Sequence, residues 1–216
     1  MLNQITSKTE FIFNNSKLLE YKTDSFGKIT TVNSNFEDVI GFNKKDLFGK
    51  HHSFLRHSDM PITIINKIYE NINNGISCFS IIKNITKKDE CYWTLSLFEV
   101  TFKENSFAPT YTVKKICLPK EAHEFFISFY KKLKKIELNA GIEIAQKYLD
   151  GFLEYKNMKN IKELILKTYQ LNSRELLSIF KYNHKLIKNR STLIKDNIKE
   201  IDILFRQINN LGNLLS

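Results

Sequence analysis

Apolar residues along this chain fall into two rhythms. From Leu18 to Leu118 they come in short runs at strand spacing, and beyond Pro119 they recur every three or four residues. In the first half, residues 18–24 and 28–32 read as two strands. Ser25-Phe26-Gly27 makes the turn between them, because Gly27 is free to take positive φ. Asn33-Ser34 then caps a short helix carrying Phe36, Val39 and Ile40, which Gly41 ends. Another helical turn runs from Lys44 to Leu47 and closes at Gly49. Pro61 opens a helix over 61–73, with Ile64, Ile65, Ile68 and Ile72 on one face, and Asn73-Asn74-Gly75 stops it. Residues 76–85, 92–102 and 109–118 are rich in β-branched and aromatic side chains and read as strands. Lys87-Lys88-Asp89-Glu90 is the polar turn between the first two of these.

This order predicts an α+β domain over 17–119: a five-stranded antiparallel sheet with helices on one face. Residues 1–16 are a lead-in. Residues 120–216 read as all-helical, with helices over 121–138, 142–156, 158–170 and 173–214. The last carries the longest stripe: Leu177, Phe180, Ile187, Ile194, Ile198, Ile201, Phe205, Ile208 and Leu215 alternate spacings of three and four. Only His184, Ser191 and Gly212 interrupt it. A second line, through Leu176, Ile179, Leu186, Leu193, Leu204 and Leu211, widens the stripe toward that of a bundle helix. The expected association is a homodimer through this seam.

Composition narrows the class. At 216 residues, 42% hydrophobic and 26% charged, the chain is an ordinary folded protein. No run approaches the roughly 18 apolar residues of a membrane span. The N-terminus lacks the basic start and apolar core of a signal peptide, so a cytoplasmic, soluble protein is expected. Cys78, Cys91 and Cys117 are odd in number and lack C-x-x-C spacing, which argues against disulfides and zinc. The net charge of +10 is spread along the chain. Its densest cluster, residues 131–135, reads as a solvated helix face, so no nucleic-acid partner is expected. Nor is an enzyme: there is no G-x-S-x-G, P-loop or G-x-G-x-x-G.

The chemistry concentrates at His51-His52-Ser53-Phe54-Leu55-Arg56-His57-Ser58-Asp59-Met60-Pro61, a polar loop just before a helix. Scaffold-held loops are where binding groups gather. This block also carries a family likeness. From Thr23 to about Thr112 the chain resembles the PAS domain of Aer-type aerotaxis receptors. Thr23-Asp24, Gly27-Lys28-Ile29-Thr30 and Val32-Asn33 match the opening hairpin. Gly41-Phe42 and Leu47-Phe48-Gly49 match the first helical segment. Arg56-His57-Ser58-Asp59-Met60-Pro61 matches the family's Arg-His-Pro-Asp-Met-Pro. Lys83-Asn84 with Tyr92-Trp93 matches the central hairpin.

The resemblance implies an FAD-binding cavity that reports redox state, and a membrane-bound chemotaxis transducer as partner. His52, Arg56, His57 and Asp59 are then expected to line or support the pocket. Arg56 is suited to fork onto phosphate oxygens, and Asp59 to orient Arg56 or cap helix 61–73. Asn33 and Asn84 offer amides to a flavin edge. Two aromatic-related positions complete the set, Trp93 and Cys78. Cys78 stands where the family has a flavin-associated Trp, and further departures are Ser80 for Gly, His51 and Ser58 for Pro, and Lys88-Asp89 for Asn-Gly. Two other readings stay open: a haem-PAS gas sensor with His51, His52 or His57 as axial ligand, and a cofactor-free interaction scaffold.

Overall fold

The computed structural model describes residues 10–13, 17–102, 108–118 and 120–182. Its sheet holds β1 (Leu19–Thr23), β2 (Ile29–Val32), β3 (Cys78–Ile85), β4 (Cys91–Phe102) and β5 (Pro109–Cys117) in the spatial order β2-β1-β5-β4-β3. Every neighbouring pair is antiparallel. Between β2 and β3 lie α1 (Ser34–Ile40), α2 (Lys44–Leu47), a single 3-10 turn (His52–Leu55) and α3 (Ile62–Asn73). The predicted elements of this half are therefore present, with ends displaced by two residues at most.

Local chemistry sets the entry into this helical segment. Asn33 caps α1: its Oδ1 accepts from the Phe36 N–H at 3.0 Å and the Glu20 N–H at 3.1 Å, and its amide donates to Leu18 O at 2.8 Å. Gly41, at φ 74°, ends the helix. Asp24 folds the β1–β2 turn by accepting from the Phe26 and Lys28 N–H groups at 2.9 and 2.8 Å.

The helical half consists of α4 (Lys120–Ala140), α5 (Ile142–Tyr155), α6 (Ile161–Thr168) and α7 (Ser173–Tyr182). It packs on the sheet. β4 is buried at every position from Cys91 to Phe98, which requires cover on both faces of an alternating strand. α3 lies over one face, and Trp93, on the other, stacks on His123 of α4 at 5.4 Å between ring centroids. Tyr130 of α4 donates to Ile81 O at 2.9 Å, and Phe79 meets Phe180 of α7 at 5.8 Å. One apolar core runs without a break from Phe13 through Phe180. The lead-in contributes too: Phe11 N–H donates to Cys91 O at 2.7 Å, and Glu10 Oε1 lies 2.6 Å from His123 Nε2. The expected continuation of the last helix to 214, with Ile187 to Leu215 of its stripe, lies outside the described residues.

Candidate functional site

Between α3 and the sheet lies a cavity of about 40 Å³. Its floor comes from four strands, with alternate residues contributed as the two-residue period of a strand dictates: Tyr21 and Thr23 of β1, Tyr111, Val113 and Lys115 of β5, Phe98 of β4, and Ile82 and Asn84 of β3. Ile65, Ile68, Tyr69 and Ile72 of α3 form the roof, and His52, Ser53 and Arg56 the side wall.

The hairpin turn holds that wall. Gly27 O accepts from the His52 N–H at 2.9 Å. Gly27 has φ 74°, and a Cβ built on it would fall 2.7 Å from His51 Nε2. Only glycine permits this approach. His52 thereby stands between two phenols, with Tyr21 Oη 3.4 Å from Nδ1 and Tyr69 Oη 3.4 Å from Nε2. Burial, reinforced by the charges of His51, Lys115 and Arg56, pushes the His52 pKa down to about 3. The imidazole is neutral at physiological pH and can donate one hydrogen bond and accept another.

Lys115 is the other dominant group. Its side chain is fully enclosed, and burial alone lowers its pKa from 10.5 to about 7. The ammonium donates to Asn84 Oδ1 and sits 5.7 Å from the centre of the Tyr21 ring. Asn84 is oriented in turn by donating to Ile82 O at 3.0 Å and to Thr94 Oγ1 at 3.1 Å. Thr23 Oγ1 is buried without a hydrogen-bond partner among the described residues. No acidic side chain is among the described residues lining the cavity.

Of the residues singled out from sequence, His52, Arg56 and Asn84 meet in this cavity. The others lie elsewhere. Asn33 is engaged in capping α1. His57 is buried beside it but faces away: its Nδ1 accepts from the Asp59 N–H at 3.1 Å, and burial together with Lys83 lowers its pKa. Asp59 neither caps α3 nor orients Arg56. It accepts from Lys83 Nζ at 2.7 Å, because Lys83 projects from the strand beside the loop. Trp93 is on the opposite face of the sheet, stacked under α4. Cys78 borders a separate groove of about 490 Å³ between α3, β3 and the α5–α6 region, and burial raises its pKa to about 12.

Tyr21, Thr23, Tyr69 and Lys115 also line the cavity, and no sequence motif marks them. Lys115 was detectable: in Tyr111-x-Val113-x-Lys115 it shares a strand face with two core-type residues, an unusual position for lysine.

The donor set suits a flavin dinucleotide. Arg56 can meet phosphate, Asn84 and neutral His52 can meet ring amide edges, and Tyr21 and Tyr69 offer aromatic walls. The volume of about 40 Å³ holds no more than a few waters, so a flavin ring fits only if the cavity widens.

The strand order, with all helices of the segment inserted between β2 and β3, is that of a PAS domain. Its sequence is similar to that of the aerotaxis receptor of Escherichia coli strain K12: 32% identical over 71 residues, which is 33% of this chain and 14% of the receptor. The chain thus matches about one seventh of that relative's length. No family model matches. Similar solved structures include a light-oxygen-voltage domain from work with a flavin analogue, at 13% identity and TM-score 0.47, covering 54% of this chain and 88% of that one. Another is the dark structure of the Aureochrome1 LOV domain, at 15% identity and TM-score 0.46, covering 55% and 86%. A PAS domain from Colwellia psychrerythraea has 18% identity and TM-score 0.42, covering 46% and 85%. Among the described residues no helix is long and apolar enough to cross a membrane.

Proposed function

We propose that this chain is a soluble, cytoplasmic PAS sensor that binds FAD in the α3 cavity and signals redox or energy state to a membrane-bound chemotaxis transducer. The observation that carries this reading is the convergence of Arg56, Lys115, Asn84 and neutral His52 on one aromatic-walled cavity whose roof, α3, is tied to the helical half. Bound FAD would supply reversible electron uptake. Arg56 would hold phosphate, and Asn84 and His52 would orient the ring edge. The roof residues Ile68 and Tyr69 would register any change in the ligand's charge or shape. α3 is joined to α4 through Thr63 and Glu137, and to α5 through Lys67 and Asp150 at 3.2 Å. A displacement of the roof therefore biases the packing of the helical half, a population shift between two arrangements.

The test is the absorption spectrum of the purified protein together with its flavin content. Arg56→Ala is expected to lose most of the flavin while circular dichroism stays that of the parent. A colourless parent that takes up no FAD would overturn the proposal. The small volume of the cavity favours one second reading, a cofactor-free interaction scaffold, and that same colourless result would select it.

A further inference from the structure

We infer that Lys115 makes the sheet wall of the cavity a seat for negative charge, so that a ligand bound there is held more tightly in whichever redox state is the more anionic. This rests on the flavin reading above and goes beyond it by naming the residue that tunes the ligand's redox balance.

Three observations converge. Lys115 is 3% exposed, yet no carboxylate among the described residues pairs with it: the ammonium is met by Asn84 Oδ1 and the face of Tyr21. A buried cation with only neutral neighbours is costly and is relieved by an anion. Second, the rest of the lining repeats the same sign. Arg56 is the second cation, His52 is neutral, and no acidic side chain is among the described lining residues. Third, the buried Thr23 hydroxyl, which lines the cavity opposite Tyr111, has no hydrogen-bond partner among the described residues. A hydroxyl facing the cavity from that end is a further donor to an anionic oxygen or ring nitrogen of a ligand that spans it.

The consequence follows by linkage. If Lys115 stabilises the reduced ligand over the oxidised one, the ratio of affinities and the reduction potential shift together. A tenfold change in that ratio is about 30 mV for a two-electron couple.

The experiment measures the midpoint potential of FAD bound to the full chain in the parent and in four variants. Lys115→Met removes the charge, and Asn84→Asp neutralises it from within by adding a carboxylate beside Lys115. Each is expected to lower the preference for reduced ligand by tenfold or more. Lys115→Arg keeps the charge and is expected to keep the parent potential. Asn84→Leu removes the amide but not the charge, and is expected not to lower the potential. The Cε carbon resonance of Lys115 in the parent should also move on loading and again on reduction. If Lys115→Met does not fold, Asn84→Asp decides. Flavin bound with unchanged potential in both charge-removing variants overturns this inference alone. A parent that binds no flavin overturns the functional reading and this inference with it.

Discussion

Glu137 Oε1, on α4, accepts hydrogen bonds from both the backbone N–H of Thr63, at 2.7 Å, and its Oγ1, at 2.8 Å. Thr63 lies in the first turn of α3, and Pro61 at the N-cap offers no side-chain hydrogen bond. The cap of the cavity's roof helix is thus supplied by a residue 74 positions later. A carboxylate at a helix N-terminus satisfies an orphan donor and complements the helix dipole.

Glu137→Ala is therefore expected to cost about 1 kcal/mol or somewhat more, the usual range for loss of an N-cap. The loss should be local to α3, so hydrogen exchange at residues 62–65 should accelerate more than exchange in β4. Uniform acceleration across both would mean that Glu137 supports the fold as a whole and not this junction.

Lys115 gives a pH signature. Its folded pKa, about 7, lies below its ordinary 10.5, so between these values the unfolded chain binds more protons than the native one, and native stability rises with pH. One proton across that window contributes about 1.4 kcal/mol per pH unit. Lys115→Met lacks this term. Urea unfolding should show the parent gaining on the variant from pH 7 upward, and parallel pH profiles would contradict the burial of a titrating ammonium.

His52 acts at the other end of the scale with the same sign. Its pKa falls from 6.5 to about 3 on folding, so the unfolded state takes up the proton first and stability is lost as pH drops through that interval. His52→Gln keeps a polar group between the two phenols but cannot charge. Its thermal midpoint should fall less than the parent's between pH 7 and about pH 5, and an equal fall would assign acid sensitivity to other groups.

The apolar stripe from Leu177 to Leu215 predicts self-association. Ile198→Asp places an unpaired charge in that seam, which is strongly disfavoured once buried. Sedimentation should show a dimeric parent and a monomeric variant, with flavin content unchanged. A parent that is monomeric at micromolar concentration would remove the self-dimer and leave the stripe for a different partner.

The elements of the PAS half were legible because each carries its own local signal: alternation in the strands, Asn33 and Gly41 at the ends of α1, and three-four spacing in α3. The site was legible only where a motif pointed to it. His52 and Arg56 belong to the conspicuous loop, and Asn84 to a family block. Tyr21, Thr23, Tyr69 and Lys115 come from separate elements and share no motif; strand pairing and the α3 crossing bring them together. His57 and Asp59 show the converse. They are adjacent to Arg56 in sequence, but the chain turns after it, and Lys83 draws Asp59 to the outside. Glu137 was unreadable because nothing local announces a cap borrowed from a distant helix.

The unbroken core between sheet and helices bears on how this protein can be divided. A fragment ending at residue 118 would keep every strand but strip the cover from Trp93, Ile81 and Leu95. The freed fragment would be expected to clump rather than behave as a detachable domain. The two halves here are not beads on a string: the sheet that floors the α3 cavity is also the surface on which α4 and α7 fold, so neither can be transplanted without the other.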